Sequence, residues 1–560
     1  MPLVPLAYHI SQTSYTNAHF GGNFLATRDM LGDTGTFDEA VNALNIQTLR
    51  YPGGALTEYS QGVITADTTT ATSPATGEEF QFTSIGDLTT YAEAEGIPVT
   101  YVLPTRVFLS EETDEDGNRF AEVDEPALRE FLQGVMDGTF SASPDIQAFE
   151  IGNEYWGSGD MNTVEYSRVA TEIVRIVDDE LASHPDADRF EETDILVQMA
   201  QNYGRADLSN TFIGSPQEQL AAVNETFGLS LSEDRYIYSS GDLAWAKIQN
   251  EILVDRFSEN GTMNAIDGVV AHIYSKGDET PNSRYFELSQ IKDTWLTESP
   301  GLDIYATEWN LKRTIDDTRE EEYGLKQAHE MLNLAEAFTW GGVDAAHVWP
   351  VQSDGRSGLT NAEGSEDVRV PGEMFRLMQE TLPGTRPLSL QGGETRETEL
   401  KGDTADLHVF HADDRMVTYL ASTSDETQEQ VIDFSNLVTS TGEVEITRLG
   451  VRDGENPTAA NATPVVTDED PDSLIEDGIL LADLAPREIM VIEMLNPDYT
   501  DAVNSAAAPA DPELPWVEMP ADDSSDSDDA DNAVLAALQD AGGGLGAIGL
   551  GLLPLLLLAL

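Results

Sequence analysis

The alternation of apolar and polar positions divides the chain into two regimes. Before residue 355, eight segments have strand character: 14–25, 46–51, 98–105, 146–154, 195–202, 267–275, 303–310 and 345–352. Most are rich in Val, Ile, Tyr and Thr, and several are unbroken apolar runs, the pattern of strands covered on both faces. Between them lie stretches with apolar residues at three- and four-residue spacing, such as 164–181, 243–257 and 327–340, which predict helices. Strand and helix repeated eight times predict an α/β fold, a (β/α)8 TIM barrel over 14–386. The competitor, a doubly wound open sheet, would call for a glycine-rich phosphate loop after the first strand, and the sequence has none there. From about Leu388 the period shortens. Segments 397–407, 408–422, 429–434, 443–448 and 488–494 alternate and are parted by turn residues, which predicts an all-β sandwich over 387–497. Residues 1–13 are expected to lend that sandwich a strand through Leu3 to Ile10.

The remaining sequence changes the picture in two ways. Residues 498–541 are rich in Ala, Pro and Asp and culminate in Asp522-Asp-Ser-Ser-Asp-Ser-Asp-Asp529, a composition expected to be disordered and extended by self-repulsion. Residues 542–560 carry no charge, and 19 residues suffice to cross a bilayer as a helix. They are expected to act as a membrane anchor or a cleaved sorting tail, holding a catalytic body at the cell surface or outside the cell. The start, Met1-Pro-Leu-Val-Pro-Leu-Ala, lacks the basic region and apolar length of a secretory signal. Either the start lies upstream, export takes another route, or the protein stays inside.

A net charge of −73, with only six lysines among 29 basic residues, argues against nucleic acid as a partner. Charge of this size fits a saline environment in which counterions screen self-repulsion; compositional drift is the plainer explanation. Absence of cysteine excludes disulfide and thiolate chemistry. The acidic turn Asp114-Glu-Asp-Gly-Asn118 lacks EF-hand spacing, so a solvated hairpin is favoured over a calcium loop. The closely spaced His408 and His411 fall in the sandwich, so no metal centre and no cofactor are expected at the barrel.

The chemistry concentrates in two acids. Glu154 ends the run Ile146-Gln-Ala-Phe-Glu-Ile-Gly-Asn-Glu, and Glu308 ends Asp303-Ile-Tyr-Ala-Thr-Glu, each with an aromatic residue close behind. Burying an unpaired carboxylate is costly, so an apolar strand that finishes on one points to a site. Placed at the ends of barrel strands four and seven, the two acids share one mouth. A pair of structural acids, each bound to an arginine, is the bland alternative.

Gly152-Asn153-Glu154 and Thr307-Glu308-Trp309-Asn310 resemble the strand-four and strand-seven motifs of the clan A retaining glycoside hydrolases. With Leu49-Arg50-Tyr-Pro-Gly-Gly54 and the trailing sandwich, residues 14–495 are most similar to the α-L-arabinofuranosidase, β-xylosidase and heparanase-like β-glucuronidase families. The resemblance implies Glu154 as acid/base, Glu308 as nucleophile and Asn153 as ligand of the sugar 2-hydroxyl. It implies that Arg50 keeps Glu308 ionised, that His272 and Tyr274 orient the nucleophile and line the pocket, and that Trp349 is a stacking platform, with Trp309 beside it in the substrate-binding set. An acid with raised pKa and a nucleophile with lowered pKa are expected. Carboxyls about 5–5.5 Å apart imply retention of configuration. Gly152 stands where some relatives carry Trp. Basic residues after the strand ends, Arg106, Arg205, Lys276, Lys312 and Arg313, suggest a uronate- or sulfate-bearing glycan, recognised by charge-assisted bonds. Neutralisation of nearby acids explains them equally well. The rival functions are a non-catalytic surface protein that binds glycan, and a lyase using the same acids.

Overall fold

In the computed structural model, residues 9–32, 35–66, 68–72, 77, 79–312, 322–361, 367–390 and 399–506 are described. Residues 1–8, Arg313, the start of segment 397–407 and everything after Ala506, including most of the acidic linker and the whole apolar tail, lie outside them. Among the described residues no helix is long and apolar enough to cross a membrane.

All eight expected barrel strands form. They are Gly21–Asn23, Leu49–Tyr51, Val99–Leu103, Ile146–Ile151, Asp194–Gln198, Gly268–Ser275, Asp303–Leu311 and Ala345–Val348, here called strands one to eight. They close into one barrel in chain order, each parallel to its neighbour, with strand eight pairing strand one. Helices return the chain between strands. The longest, Thr163–Ser183, starts on a capping box in which Asn162 and Glu165 exchange hydrogen bonds, satisfying amides that the first turn leaves free.

Alternation along the strands sorts side chains between the barrel axis and the helices. Ala148, Leu196, Val270, Tyr305 and Ala345 form a small apolar layer inside the barrel. One step further along the same strands come Glu150, Gln198, His272, Thr307 and His347, all buried. That polar layer is the floor of the site. Gly21 of strand one makes room for it, because a Cβ there would lie 2.3 Å from Thr48 Oγ1 and 2.6 Å from the His347 ring.

The C-terminal region is a two-layer sandwich. The large antiparallel sheet runs, in spatial order, through His9–Ile10, Arg386–Ser389, Ala405–His411, Arg415–Ser422, Ile489–Leu495, Glu443–Val451 and Pro464–Glu469. Its inner face packs on the small sheet built from Gln428–Asp433 and Ile479–Leu484, through Leu407, Met416, Ile446, Ile432 and Leu480. The early strand therefore joins the sandwich through His9 and Ile10, as expected. Segment 408–422, expected as one strand, is instead a hairpin: Ala412–Arg415 turns the chain, and His411 pairs Met416. The linker also starts later than expected. Asp498–Tyr499 pairs with Val438–Ser440, and helix Asp501–Ala506 buries Val503 and Ala506 against the sandwich.

The outer face of the large sheet, through Phe410, Val417, Tyr419 and Val491, merges with the core around the barrel. Helix Leu325–Gly341, after strand seven, is buried along its whole length between the two regions. Its polar residues face partners: His329 Nε2 lies 3.0 Å from His408 Nε2, and Arg284 grips Glu330 with two bonds of 2.6 Å.

Candidate active site

The middle residue of strand two is Arg50, completely buried inside the barrel. A guanidinium removed from water needs its donors occupied and its charge matched. Both conditions are met. Nε and Nη2 donate to the two oxygens of Glu150 at 2.7 Å each, a bidentate pair, and Nη1 donates to Glu308 Oε1 at 2.9 Å. The remaining bonds reach Asn23 Oδ1 at 2.9 Å and Asn153 Oδ1 at 2.7 Å. Asn23 is fixed in turn by donating to the Thr307 carbonyl at 2.8 Å, and Gln198 donates to Glu150 Oε1 at 2.7 Å. One cation thus ties strands one, two, four and seven at a single point.

Glu308 reaches this point through a β-bulge. Along strands six and seven the register runs Ala271 to Ala306 and then His272 to Glu308, so strand seven holds one extra residue. A bulge of this kind re-aims a side chain. Thr307 Oγ1 approaches Glu150 at 3.4 Å while Glu308 meets Arg50. The same step turns Trp309 outward. Its ring packs on Phe338 at 5.3 Å and on Phe375 at 6.3 Å, among the helices. Trp309 is therefore a core residue, a correction to its expected place in the substrate-binding set.

Glu154 lies just past strand four in a tight turn. Gly152 has φ +82° and Glu154 itself φ +45°, a backbone region costly for a residue with a side chain. The turn lifts the Glu154 carboxyl over the barrel mouth, where it is partly exposed, and leaves Asn153 beneath it on Arg50. His272, from strand six, lies between the acids: Nδ1 is 3.1 Å from Glu154 and 3.6 Å from Glu308. Tyr274, two residues on, donates to Glu308 Oε2 at 2.8 Å. One oxygen of each glutamate and a ring nitrogen of His272 all lie within 4.8 Å of one another. Trp349, half-buried at the end of strand eight, rests on the loop after strand two; a Cβ on Gly54, where φ is +75°, would come 2.9 Å from its ring.

The charges around Glu154 reverse one expectation. Burial alone would raise its pKa, but the hydrogen bond and charge of His272, with Arg50 behind, hold it below the ordinary carboxylate value. His272 is the counterpart. Burial disfavours its cation, yet Glu308 and Glu154 together raise its pKa. Both shifts favour the proton on the imidazole over Glu154, opposite to the raised pKa expected of that acid. Burial and the Glu308 charge push the Tyr274 hydroxyl far up, so it remains a donor.

The site therefore unites Glu154, Glu308, Asn153, Arg50, His272 and Tyr274 as the sequence suggested, with Trp349 at its rim. Sequence reading missed Glu150, Asn23 and Gln198, which hold Arg50. The only signal for Glu150 was an acid inside an apolar run. The outlying cations are largely spoken for. Arg205 binds Glu165 with two bonds of 3.1 Å, and Arg106 reaches the Ser158 carbonyl at 3.1 Å and Asp160 at 3.7 Å. The Asp114 turn is the tip of a hairpin, Leu109–Thr113 with Arg119–Ala121, whose Asp114 carboxylate binds Arg168 and the Asn118 amide. His408 and His411 lie in the sandwich, far along the chain from these acids; His411 packs on Tyr499.

No protein-family profile matches the sequence, and no curated protein matches it. Solved structures do resemble its fold. A GH51 arabinofuranosidase from Xanthomonas axonopodis pv. citri superposes with a TM-score of 0.56 at 11% identity, over 86% of this chain and 98% of that one. The alpha-L-arabinofuranosidase of Thermotoga maritima, solved with arabinose, gives 0.55 at 14% identity, over 88% and 99%. AbfB, a family 51 alpha-L-arabinofuranosidase from Bifidobacterium longum, gives 0.57 at 13% identity, over 88% and 99%. The chain thus shares the fold of these arabinofuranosidases, a closed barrel followed by a β domain, along nearly the full length of those structures.

Proposed function

We propose that this protein is a retaining glycoside hydrolase. The observation that carries the reading is the approach of Glu154 and Glu308, from strands four and seven, to within 4.8 Å at one barrel mouth. Inverting enzymes hold their carboxyls about 6.5–9.5 Å apart and retaining enzymes about 5–5.5 Å, and so close an approach favours the second class. Glu308, paired with Arg50 and aligned by Tyr274, attacks the anomeric carbon, and the bond to the leaving oxygen breaks as a glycosyl ester forms. Glu154 delivers a proton to that oxygen, then takes one from the water that hydrolyses the ester. The shared proton on His272 supplies the first transfer, because a substrate oxygen arriving at Glu154 competes with the imidazole contact. Asn153, held by Arg50, binds the 2-hydroxyl, and Trp349 lies under a sugar face.

The substrate class we favour is a glycan bearing uronate or sulfate groups. Arg106 and Arg205 lend this little support, being engaged with acids and a carbonyl. Lys276 and Lys312, two of the chain's six lysines, directly follow the paired strand-end residues Ser275 and Leu311 and set two positive charges side by side there, with Glu287 within reach of both. A location outside the cell, attached through the C-terminal tail, completes the proposal and is tested by protease accessibility on intact cells.

The experiment is a panel of 4-nitrophenyl α-L-arabinofuranoside, β-D-xyloside and β-D-glucuronide, followed by anomeric proton NMR of the product. Hydrolysis with the configuration retained is expected. Inversion, or binding without turnover, would replace the reading, the latter by a non-catalytic glycan-binding barrel. Faster turnover of the neutral sugars than of the glucuronide would remove the anionic substrate. A second reading has its own observation. Glu154, His272 and Glu308 also offer one carboxylate, one imidazole and one more carboxylate in metal-binding proximity. Activity abolished by a chelator and restored by a divalent ion would favour that reading.

A further inference from the structure

Four carboxylates among the described residues are completely shielded from solvent: Asp29, Glu58, Glu150 and Glu165. Three of them pair with arginine, Asp29 with Arg28, Glu150 with Arg50, and Glu165 with Arg119 and Arg205. Glu58 has no ion pair. It belongs to a single helical turn, Leu56–Tyr59, in the loop after strand two, and its compensation comes entirely from hydrogen-bond donors. Oε2 accepts from the amide of Thr105 at 3.2 Å, its hydroxyl at 2.8 Å and the amide of Arg106 at 2.8 Å. Oε1 accepts from the amide of Asn153.

Burial raises the Glu58 pKa, and the hydrogen bonds oppose it: every partner is a donor, and a protonated Glu58 would face N–H and O–H groups with a proton of its own. An isolated buried carboxylate is costly, and here the compensation ties three loops, those after strands two, three and four. The third is the turn that carries the two residues next to the sugar. Gly152 fits against Glu58 only because it lacks a side chain: a Cβ would lie 3.0 Å from Thr105 and 3.3 Å from Glu58 Oε1. Glu154 follows at φ +45°, a conformation that persists only where its surroundings impose it.

We propose that Glu58 is a positioning residue: its buried, ionised carboxylate anchors the Asn153 amide and so sets the place of Glu154 as proton donor. The proposal rests on the assignment of Glu154 as acid/base. It acts through geometry, and its signature is selective. A misplaced acid harms departure of a poor leaving group, which needs a proton, and spares a good one, which does not.

The test compares wild type with Glu58→Gln on the phenyl and 2,4-dinitrophenyl glycosides of whichever sugar wild type hydrolyses best among arabinofuranoside, xyloside and glucuronide. The carboxamide keeps the shape but must turn its NH2 toward one set of donors. The expected result is a loss of about 10–100-fold in kcat/KM on the phenyl glycoside, with a much smaller loss on the dinitrophenyl one. Equal losses on both, or none, would overturn the proposal. Should Glu58→Gln not fold, Thr105→Val removes only one donor from the same oxygen. Loss of that bond favours protonation of Glu58, so the acid limb of the phenyl-glycoside pH profile moves to higher pH; an unmoved limb is contrary. A crystal structure of either variant adds a readout independent of turnover: Glu154 displaced supports the proposal, and a turn unchanged overturns it. Wild type inactive on the glycosides of all three sugars would instead remove the glycosidase reading, leaving the crystallographic comparison to decide on Glu58.

Discussion

The two ends of the barrel treat negative charge in opposite ways. At the mouth, Glu150, Glu154 and Glu308 surround Arg50 and His272, and each of the three has a cation within 3.1 Å. At the opposite end, Asp194, Asp267, Asp303 and Asp344 mark the starts of strands five to eight, and among the described residues none has an ion pair. Their support is a Tyr305 hydroxyl on Asp194 at 2.6 Å and backbone amides of Ile195 and Ile304 on Asp267 and Asp344, each at 2.9 Å. Partial burial, with the neighbouring aspartates, pushes Asp194 and Asp344 up to about 6 and raises Asp267 and Asp303 as well. Pairing fixes protonation at the mouth, where chemistry needs it fixed. The far end tolerates repulsion that solvent and salt can screen.

The sharpest way to break this contrast is to remove the cation. Arg50→Leu leaves Glu150 and Glu308 buried and uncompensated, and breaking such a pair costs about 3–5 kcal/mol. The urea midpoint should fall accordingly and turnover should vanish. A variant of wild-type stability would show that the mouth is no more dependent on pairing than the base.

Acid titration sharpens the comparison in the other direction. Burial lowers His19 to about 4, and burial lowers His329 and His347 to about 3, helped by His408 and Arg50 respectively. Below their ordinary value of 6.5 the unfolded chain binds protons that these three histidines refuse, so stability falls as pH drops from about 6.5 toward 4. Asp194 and Asp344 have the opposite sign. Folded, they bind protons between about 6 and 4 that the unfolded chain does not, and stability gains over that window. Glu287, which burial pushes up to about 7, shares the sign of the aspartates; the three buried histidines together should outweigh these acids, so urea midpoints should decline overall from pH 7 to 4.5. A midpoint that rises toward acid would mean the base dominates.

The smallest effect belongs to the base itself. Asp194→Asn with Asp344→Asn keeps both acceptors and removes two charges, so the midpoint at pH 7 should rise, by no more than about 1 kcal/mol at such partly exposed positions. The double variant should gain less than wild type on going from 0.1 to 1 M salt, where the screening length shrinks from about 10 to about 3 Å. Equal salt gains would place the repulsion elsewhere on this surface.

Much of this was legible in the sequence because it is local. Strand-ending acids, the eight-fold alternation and the short-period β segments are all patterns within ten residues or so. What escaped is non-local. Glu150 reads as an interior strand residue until Arg50, one hundred positions earlier, is brought onto it. Glu58 lies in a loop whose partners come from two other loops. The direction of Trp309 depends on a bulge in strand seven, which no pattern within the strand announces. The lowered pKa of Glu154 comes from His272, which the sequence placed on the nucleophile alone.

The central claim is that Glu154 and Glu308 work as a pair, with Glu308 forming the covalent bond. The most direct measurement is mass spectrometry after incubation with a cyclophellitol-type, mechanism-based glycosidase label, on wild type and Glu308→Gln. The account predicts one label on the wild type, mapped to the peptide carrying Glu308, and none on the variant. Label on both proteins, or a wild type that hydrolyses glycosides yet takes label elsewhere, would contradict it.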